Sequence, residues 1–318
     1  MADSREARFQ QDIIEAMVAG GWKAGTASGY DRTTALYTED LLGYVREAWP
    51  ERWEKFCKAN PQAPESVLVQ KVVRELERAG TLEVLRHGFK VPGVKFDLCS
   101  FQPDHGMNPD SLARYRANRL RVVPEVSYSP HAREKGKGGD SAGQNYNPRL
   151  DLVLFVNGIP TATLELKSQF KQTVENAKRQ YRQDRPIKDP VTRKPEPLLT
   201  FKRGALVHFA VSQAEVAMTT RLAGSSTYFL PFNRGTQEGG AGNPPAPDEQ
   251  SYATAYLWEE VFAPDAWLKV LGRFLHLEQK TVEDFHGRRS LKETLIFPRY
   301  HQWEVVNRLV QATLAEGP

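Results

Sequence analysis

Residues 149–167 have the sequence RLDLVLFVNGIPTATLELK, which carries the clearest hairpin signal in the chain. Two alternating, largely β-branched runs flank Asn157-Gly158, the dipeptide most typical of a tight turn between antiparallel strands. The segment therefore predicts a β-hairpin. Its first strand carries Asp151, and its second carries Glu165 and Lys167.

The charged residues of the hairpin have the spacing D-x13-E-x-K. Side chains alternate between the two faces of a strand, so the polar residues of the second strand share one face, which we expect to be solvated. That face consists of Thr161, Thr163, Glu165 and Lys167. The intervening alanine and leucines would form a dry face against the core.

These residue types suit phosphodiester hydrolysis, which needs a divalent cation, an activated water and neutralisation of the phosphate charge. Two carboxylates on adjacent strands can share Mg²⁺, which prefers oxygen ligands and keeps several waters. A neighbouring lysine can position or deprotonate the water, or stabilise the developing charge. The spacing alone equally fits an ordinary surface hairpin with charged residues.

The strand register sets a condition on a shared metal site. A two-residue turn at Asn157-Gly158 would pair Asp151 with Leu164 and turn Glu165 to the other face. A three-residue loop, or an equivalent bulge, would bring Asp151 and Glu165 to one face. We predict such an offset.

Composition excludes several protein classes. The 318 residues are 40% hydrophobic and 26% charged, which is typical of a globular protein. The mean hydropathy is −0.54 and the chain begins with a charged segment, so we expect neither a membrane span nor a signal peptide, and hence a cytoplasmic location. Cys57 and Cys99 lack zinc-site spacing, and the net charge of +4 is compatible with nucleic acid without establishing it.

Residues 4–19 predict an amphipathic helix with Phe9, Ile13 and Met17 on its apolar face. Glu6 projects into that face, where a carboxylate needs a partner. The alternative is that Glu6 lies in an exposed, frayed first turn.

Further elements follow from periodicity and from glycine and proline positions. Helices are predicted at 64–79, 173–184 and 251–277, strands within 81–101, 119–129, 204–212 and 214–220, and a charged connector at 281–296. Segment 130–148 is a basic, glycine-rich loop. Its Arg133, Lys135 and Lys137 could contact phosphates or simply be solvated.

The hairpin resembles the nuclease motif of type I restriction enzyme R (HsdR) subunits, a branch of the PD-(D/E)xK superfamily. The resemblance continues in order along nearly the whole chain. It includes LRHGFK at 85–90, YRANRLRVV at 115–123, TVENAKRQYRQDR at 173–185, LVHFAVS at 206–212, TTRLAG at 219–224, FLPFNRG at 229–235 and LIFPRYHQ at 295–302.

This resemblance implies an α/β fold with a restriction-endonuclease-like mixed central sheet, flanking helices and a C-terminal helical extension. It implies Asp151 and Glu165 as Mg²⁺ ligands, Lys167 as the catalytic lysine and Glu6 as an additional acidic residue and candidate metal ligand. It also implies a complex with double-stranded DNA and with methyltransferase (M) and specificity (S) subunits, and no membrane partner.

Two features depart from the family pattern. Leu150, not proline, precedes the aspartate, which affects entry into the strand more than the chemistry. Related nucleases carry Q-x-x-x-Y on the following helix, whereas here Gln180 and Tyr181 are adjacent. Helical geometry favours Gln180 for the site and leaves Tyr181 as a possible core residue.

No G-x-x-x-x-G-K-[ST] phosphate-binding loop occurs in the chain, so no complete ATPase is present. The FPRYHQ segment resembles the lead-in of the first motor domain, where Arg299 and Gln302 would approach the adenine of ATP in a full-length subunit. A simple helix cap is the alternative. We predict a nuclease domain at 1–234, a linker at 235–250, a helical connector at 251–290 and the start of a RecA-like motor domain at 291–318.

Three functions remain open. The first is a Mg²⁺-dependent endonuclease domain that cleaves DNA after ATP-driven translocation by a motor part. The second is a module that docks DNA or partner subunits and is inactive alone. The third is a stand-alone repair nuclease of the RecB kind.

Overall fold

The computed structural model describes residues 4–103, 106–133, 145–168, 173–236, 238–248, 251–283, 285 and 287–317. The helices are α1 (Ser4–Ala19), α2 (Thr38–Ala48), α3 (Pro50–Ala59), α4 (Pro64–Ala79), α5 (Thr81–His87), α6 (Pro109–Arg116), α7 (Val174–Gln183), α8 (Pro264–Lys269) and α9 (Tyr300–Glu316). The strands are β1 (Lys23–Ala24), β2 (Phe89–Val91), β3 (Val94–Phe96), β4 (Leu120–Ser127), β5 (Arg149–Val156), β6 (Ile159–Lys167), β7 (Val207–Ser212), β8 (Val216–Thr219), β9 (Leu230–Pro231), β10 (His276–Glu283) and β11 (Arg289–Ile296).

A seven-stranded sheet with the order β1-β4-β5-β6-β7-β8-β9 forms the centre of the fold. The β1–β4 and β6–β7 pairs are parallel, and the other neighbours are antiparallel. Helices flank the sheet, and α9 follows at the C-terminal end. The expected α/β fold with a mixed, restriction-endonuclease-like sheet and a C-terminal helix is therefore confirmed.

The β5–β6 hairpin achieves its offset through a bulge in β6. Val156 pairs with Ile159, so the turn contains two residues, and both have positive φ: 50° at Asn157 and 77° at Gly158. The register then shifts, which leaves Thr161 as an extra residue in β6. The three-residue loop that we considered is wrong, and the equivalent bulge is confirmed.

Both faces of β6 are buried, so the expectation of one solvated face is wrong. One face packs into a large core built by most of the helices, and the other packs against α7 through Val174, Ala177 and Tyr181. Thr163 and Glu165 have no exposed surface. The hairpin alternates as predicted, but a helix rather than water covers its polar face.

The bulge also moves Thr161 away from the predicted polar face. Its hydroxyl accepts a hydrogen bond from the Trp267 indole Nε1 at 3.2 Å, and Trp267 belongs to the large core on the opposite side. Two consecutive residues at a bulge need not alternate, which explains the difference.

Residues 81–87 form α5 and not a strand. Thr81 follows Gly80, whose φ of 91° ends α4, and the Thr81 hydroxyl donates to the carbonyls of Arg203 and Gly204. Leu82, Val84 and Leu85 are all buried. Burial of residues one and three positions apart suits a short helix better than a strand. Strand character within 81–101 is confined to the small β2–β3 hairpin.

The segment expected to be a helical connector is helical only as far as Phe274. It contains π-helical turns at Leu257–Val261 and Val270–Phe274 around α8, and then β10 begins at His276. β10 pairs with β11, so the charged connector at 281–296 is largely a hairpin. Its strands are mostly exposed, and their charged residues therefore hide the strand pattern.

No helix among the described residues is long and apolar enough to cross a membrane.

Candidate active site

The bulge places Asp151 and Glu165 opposite each other on neighbouring strands. Leu152 pairs with Leu164, and continuing this register by one residue pairs Asp151 with Glu165. Directly paired residues point to the same face of a sheet. The Asp151 carboxylate also accepts a 2.7 Å hydrogen bond from the Leu166 backbone N–H, which fixes its orientation across the strand pair.

Lys167 and Glu6 meet at the same place. The Lys167 Nζ lies 3.0 Å from the Glu6 Oε1, and the two side chains are 10% and 18% exposed. Glu6 stands on the face of α1 that also carries the buried Phe9 and Ile13. The structure thus brings Glu6 next to the lysine and does not place it in an exposed, frayed turn.

Arg185 is a site residue that the sequence analysis did not single out. Its Nε and Nη2 donate to the two oxygens of Glu165 at 2.6 and 3.0 Å. It lies two residues beyond the end of α7, in the QYRQDR segment that carries the family resemblance. Only the path of the chain after α7 aims it at Glu165, so its spacing from Gln180 and Tyr181 gave no usable signal.

Burial dominates the electrostatics of the two carboxylates. It raises the pKa of Asp151 to about 6, against the Leu166 N–H and the Lys167 ammonium, which favour the charged form. Burial, reinforced by the nearby Asp151, raises the pKa of Glu165 well above its usual range, while Arg185 opposes that rise. Both carboxylates would therefore be stabilised in their charged form by a cation added next to them.

Gln180 and Tyr181 occupy different environments. Gln180 lines the pocket at the site, and its Oε1 is buried with no hydrogen-bond partner among the described residues. The Tyr181 ring is fully buried behind the sheet, and its hydroxyl hydrogen-bonds with Thr163 at 2.7 Å. Of the two, Gln180 reaches the pocket.

The pocket over Asp151 has a volume of about 480 Å³. It is lined by Glu6, Glu125, Ser127, Asn147, Pro148, Arg149, Asp151, Gln180 and Arg185. Glu125 has a φ of 56°, a conformation that non-glycine residues rarely adopt outside functional or strained sites.

Gln10 ties the first helix to this pocket. Its Nε2 donates to the Asp151 carbonyl at 2.7 Å and to the Glu125 carboxylate at 3.1 Å. Gln10 lies one helical turn after Glu6 on α1, and the amphipathic pattern of the helix gives no reason to expect its contact with Asp151.

The donor set fits Mg²⁺, which takes carboxylate oxygens and retains several waters. Asp151 lines the open pocket, and Glu165 lies opposite it. Among the described residues no group of three or more histidine, cysteine, aspartate or glutamate side chains is placed to hold a metal ion. Asp151 and Glu165 are the two carboxylates that could hold such a metal.

The remaining candidate residues lie elsewhere. Arg299 and Gln302 stand at the start of α9, where the Arg299 backbone N–H donates to the Gln302 side chain at 2.9 Å. That contact is a helix cap, and neither residue lines the pocket. Arg133 pairs with the buried Asp189, whereas Lys135 and Lys137 lie outside the described residues.

Comparison with curated proteins gives no match. The family described as type I restriction enzyme R protein N terminus matches residues 5–227, which is more than half of the chain and includes every element of the hairpin site. The chain therefore belongs to the family of type I restriction enzyme R protein N-terminal regions.

Proposed function

We propose that this chain is the endonuclease part of a type I restriction enzyme R subunit and that it hydrolyses DNA phosphodiester bonds with Mg²⁺. Asp151 and Glu165 are the metal ligands, and Lys167 is the catalytic lysine. The observation that carries the proposal is the bulge at Thr161, which turns both carboxylates to one face. Without it the D-x13-E spacing would separate them.

The bound Mg²⁺ would supply Lewis-acid activation of the phosphate and lower the pKa of the attacking water. The protein's side chains and backbone would orient the reacting groups. Asp151 is oriented by the Leu166 N–H, and Lys167 is held by Glu6. From that position the Lys167 ammonium can donate to a phosphate oxygen or orient the water.

Glu6 and Gln180 have supporting roles in this proposal. Glu6 positions Lys167 and is an additional acidic group beside the metal. The unpartnered Oε1 of Gln180 is a hydrogen-bond acceptor at the pocket, where it can hold a water molecule in place. Tyr181 contributes through Thr163 and the packing behind β6.

The activity belongs to an assembly with double-stranded DNA and the M and S subunits, in which cleavage follows ATP-driven translocation. We propose the division into 1–234, 235–250, 251–290 and 291–318 for the nuclease, linker, connector and motor segments. The adenine-binding role of Arg299 and Gln302 in the full-length subunit stays a prediction.

The test is nicking of a plasmid carrying the recognition site by the reconstituted complex with Mg²⁺ and ATP. We expect Asp151→Ala and Lys167→Ala to abolish cleavage and leave ATP hydrolysis intact. Lys58→Ala, at a side chain 74% exposed on α3, is the matched control and should cleave normally. Equal cleavage by all the variants would refute the assigned centre and favour the docking function.

A further inference from the structure

Arg185 neutralises Glu165 through a forked pair of hydrogen bonds. Both carboxylate oxygens accept from the guanidinium, at 2.6 and 3.0 Å. Glu165 is completely buried, and the Arg185 side chain is 11% exposed. A pair with this geometry is among the strongest that protein side chains form.

A divalent cation on Glu165 would lie within a few ångströms of that guanidinium. Like charges this close repel strongly where water is largely excluded. The Glu165 carboxylate nevertheless needs a positive partner, because an unpaired charge is costly to bury. Arg185 and the metal can therefore each supply the positive charge that the buried Glu165 carboxylate needs.

We propose that Arg185 is an exchangeable counter-ion, which occupies Glu165 until a divalent cation displaces it into the pocket. This inference rests on the proposed metal site. Arg185 competes with the metal, so its removal strengthens metal binding. An arginine that merely shaped the site would have the opposite effect.

The surroundings of Arg185 allow the side chain to move while the backbone stays in place. The Tyr128 hydroxyl donates to the Pro186 carbonyl at 3.3 Å, which holds the residue that follows. The Arg185 side chain itself already lines the open pocket beside Asp151 and Gln180. The displaced guanidinium would face the space where a DNA phosphate must lie, and it is well suited to bind that phosphate with two hydrogen bonds.

Binding of Mn²⁺ as a probe, followed by electron paramagnetic resonance of the free ion, tests the exchange without relying on cleavage. The proteins are wild type, Arg185→Gln, Asp151→Asn and the control Arg179→Gln. Arg179 is an exposed arginine on α7, so its variant removes the same charge outside the pocket lining. We expect Arg185→Gln to bind Mn²⁺ about tenfold more tightly than wild type, Arg179→Gln to match wild type and Asp151→Asn to bind weakly.

Thermal unfolding gives a second readout. Arg185→Gln should melt below wild type in EDTA and gain more from added Mn²⁺ than wild type does, because the metal replaces the missing charge. If Arg185→Gln fails to fold, Arg185→Lys keeps the charge without the forked contact, and it should also bind Mn²⁺ more tightly than wild type.

The outcomes separate the two proposals. If wild type and Asp151→Asn bind Mn²⁺ equally, the proposed metal site fails. If Asp151→Asn loses binding while both Arg185 variants bind no more tightly than wild type, the metal site stands and the exchange is overturned.

Discussion

Two long antiparallel hairpins in the described part of the chain, β5–β6 and β10–β11, use charged residues in opposite ways. Every residue of β6 is buried, including Glu165 and Lys167. β10 and β11 are mostly exposed, and their charges pair near the surface, as Lys202 does with Glu293 at 2.8 Å. The first hairpin holds charges that water would otherwise stabilise, whereas the second keeps them near water.

This difference separates a buried charge, which needs a compensating partner, from a charge that water still reaches. A buried charge persists only where partners or a ligand compensate for lost hydration. Glu165 has one such partner, Arg185. The Glu293 side chain is 24% exposed, and ion pairs that water reaches contribute little to stability. Substitutions at matched positions should therefore have very unequal effects.

The largest effect should come from Glu165→Gln compared with Glu293→Gln. Glu165→Gln leaves Arg185 buried without its charged partner, so we expect the free energy of unfolding in EDTA to fall by about 3 kcal/mol. Glu293→Gln should lower it by less than about 1 kcal/mol. Urea unfolding measures both losses, and similar values in the two hairpins would contradict the difference between a buried charge and one that water reaches.

The glycines in the turns of the two hairpins, Gly158 and Gly287, should differ less in their effect on stability. A Cβ on Gly158 would lie 2.3 Å from the Tyr37 carbonyl oxygen, and the φ of 77° adds strain, so Gly158→Ala should destabilise by about 3 kcal/mol. Gly287 has a similar φ of 75°, but its nearest neighbour would be the Glu283 carboxylate at 3.8 Å, and Gly287→Ala should cost about 1 kcal/mol.

Melting temperatures of the two alanine variants provide the measurement. Equal shifts would mean that packing around the first turn contributes nothing beyond the backbone conformation.

The effect that is smallest at neutral pH concerns His208, in the layer behind the first hairpin. Burial lowers the pKa of His208 from 6.5 to about 3, so between these values the unfolded chain binds a proton that the folded protein does not. Stability then falls as the pH drops, by up to about 1.4 kcal/mol per pH unit. The His208→Gln variant should lose this part of the slope in urea unfolding between pH 4 and 6.5, and an unchanged slope would show that the ring is accessible to protons.

The β5–β6 hairpin could be predicted because strand alternation and an Asn-Gly turn are local signals, whereas the mixed sheet was implied only by the family resemblance. The bulge could be inferred only as a requirement, since a longer loop satisfied the same condition. The contact of Arg185 with Glu165 depends on how the chain leaves α7, which no local pattern encodes. β10 and β11 were not predicted because both strands are mostly exposed. Their charged residues replace the alternation of apolar and polar residues that marks a half-buried strand.

The extra residue at Thr161 also bears on how related sequences can vary. A hairpin with this two-residue turn and no bulge would place Leu164, not Glu165, opposite Asp151. Deleting Thr161 would remove the bulge and still leave the two carboxylates opposite each other, whereas a one-residue insertion or deletion that kept the bulge would turn them to different faces. The turn and the bulge together fix how many residues can separate the two carboxylates. A relative with one residue more or fewer between them must therefore also differ in its turn or bulge.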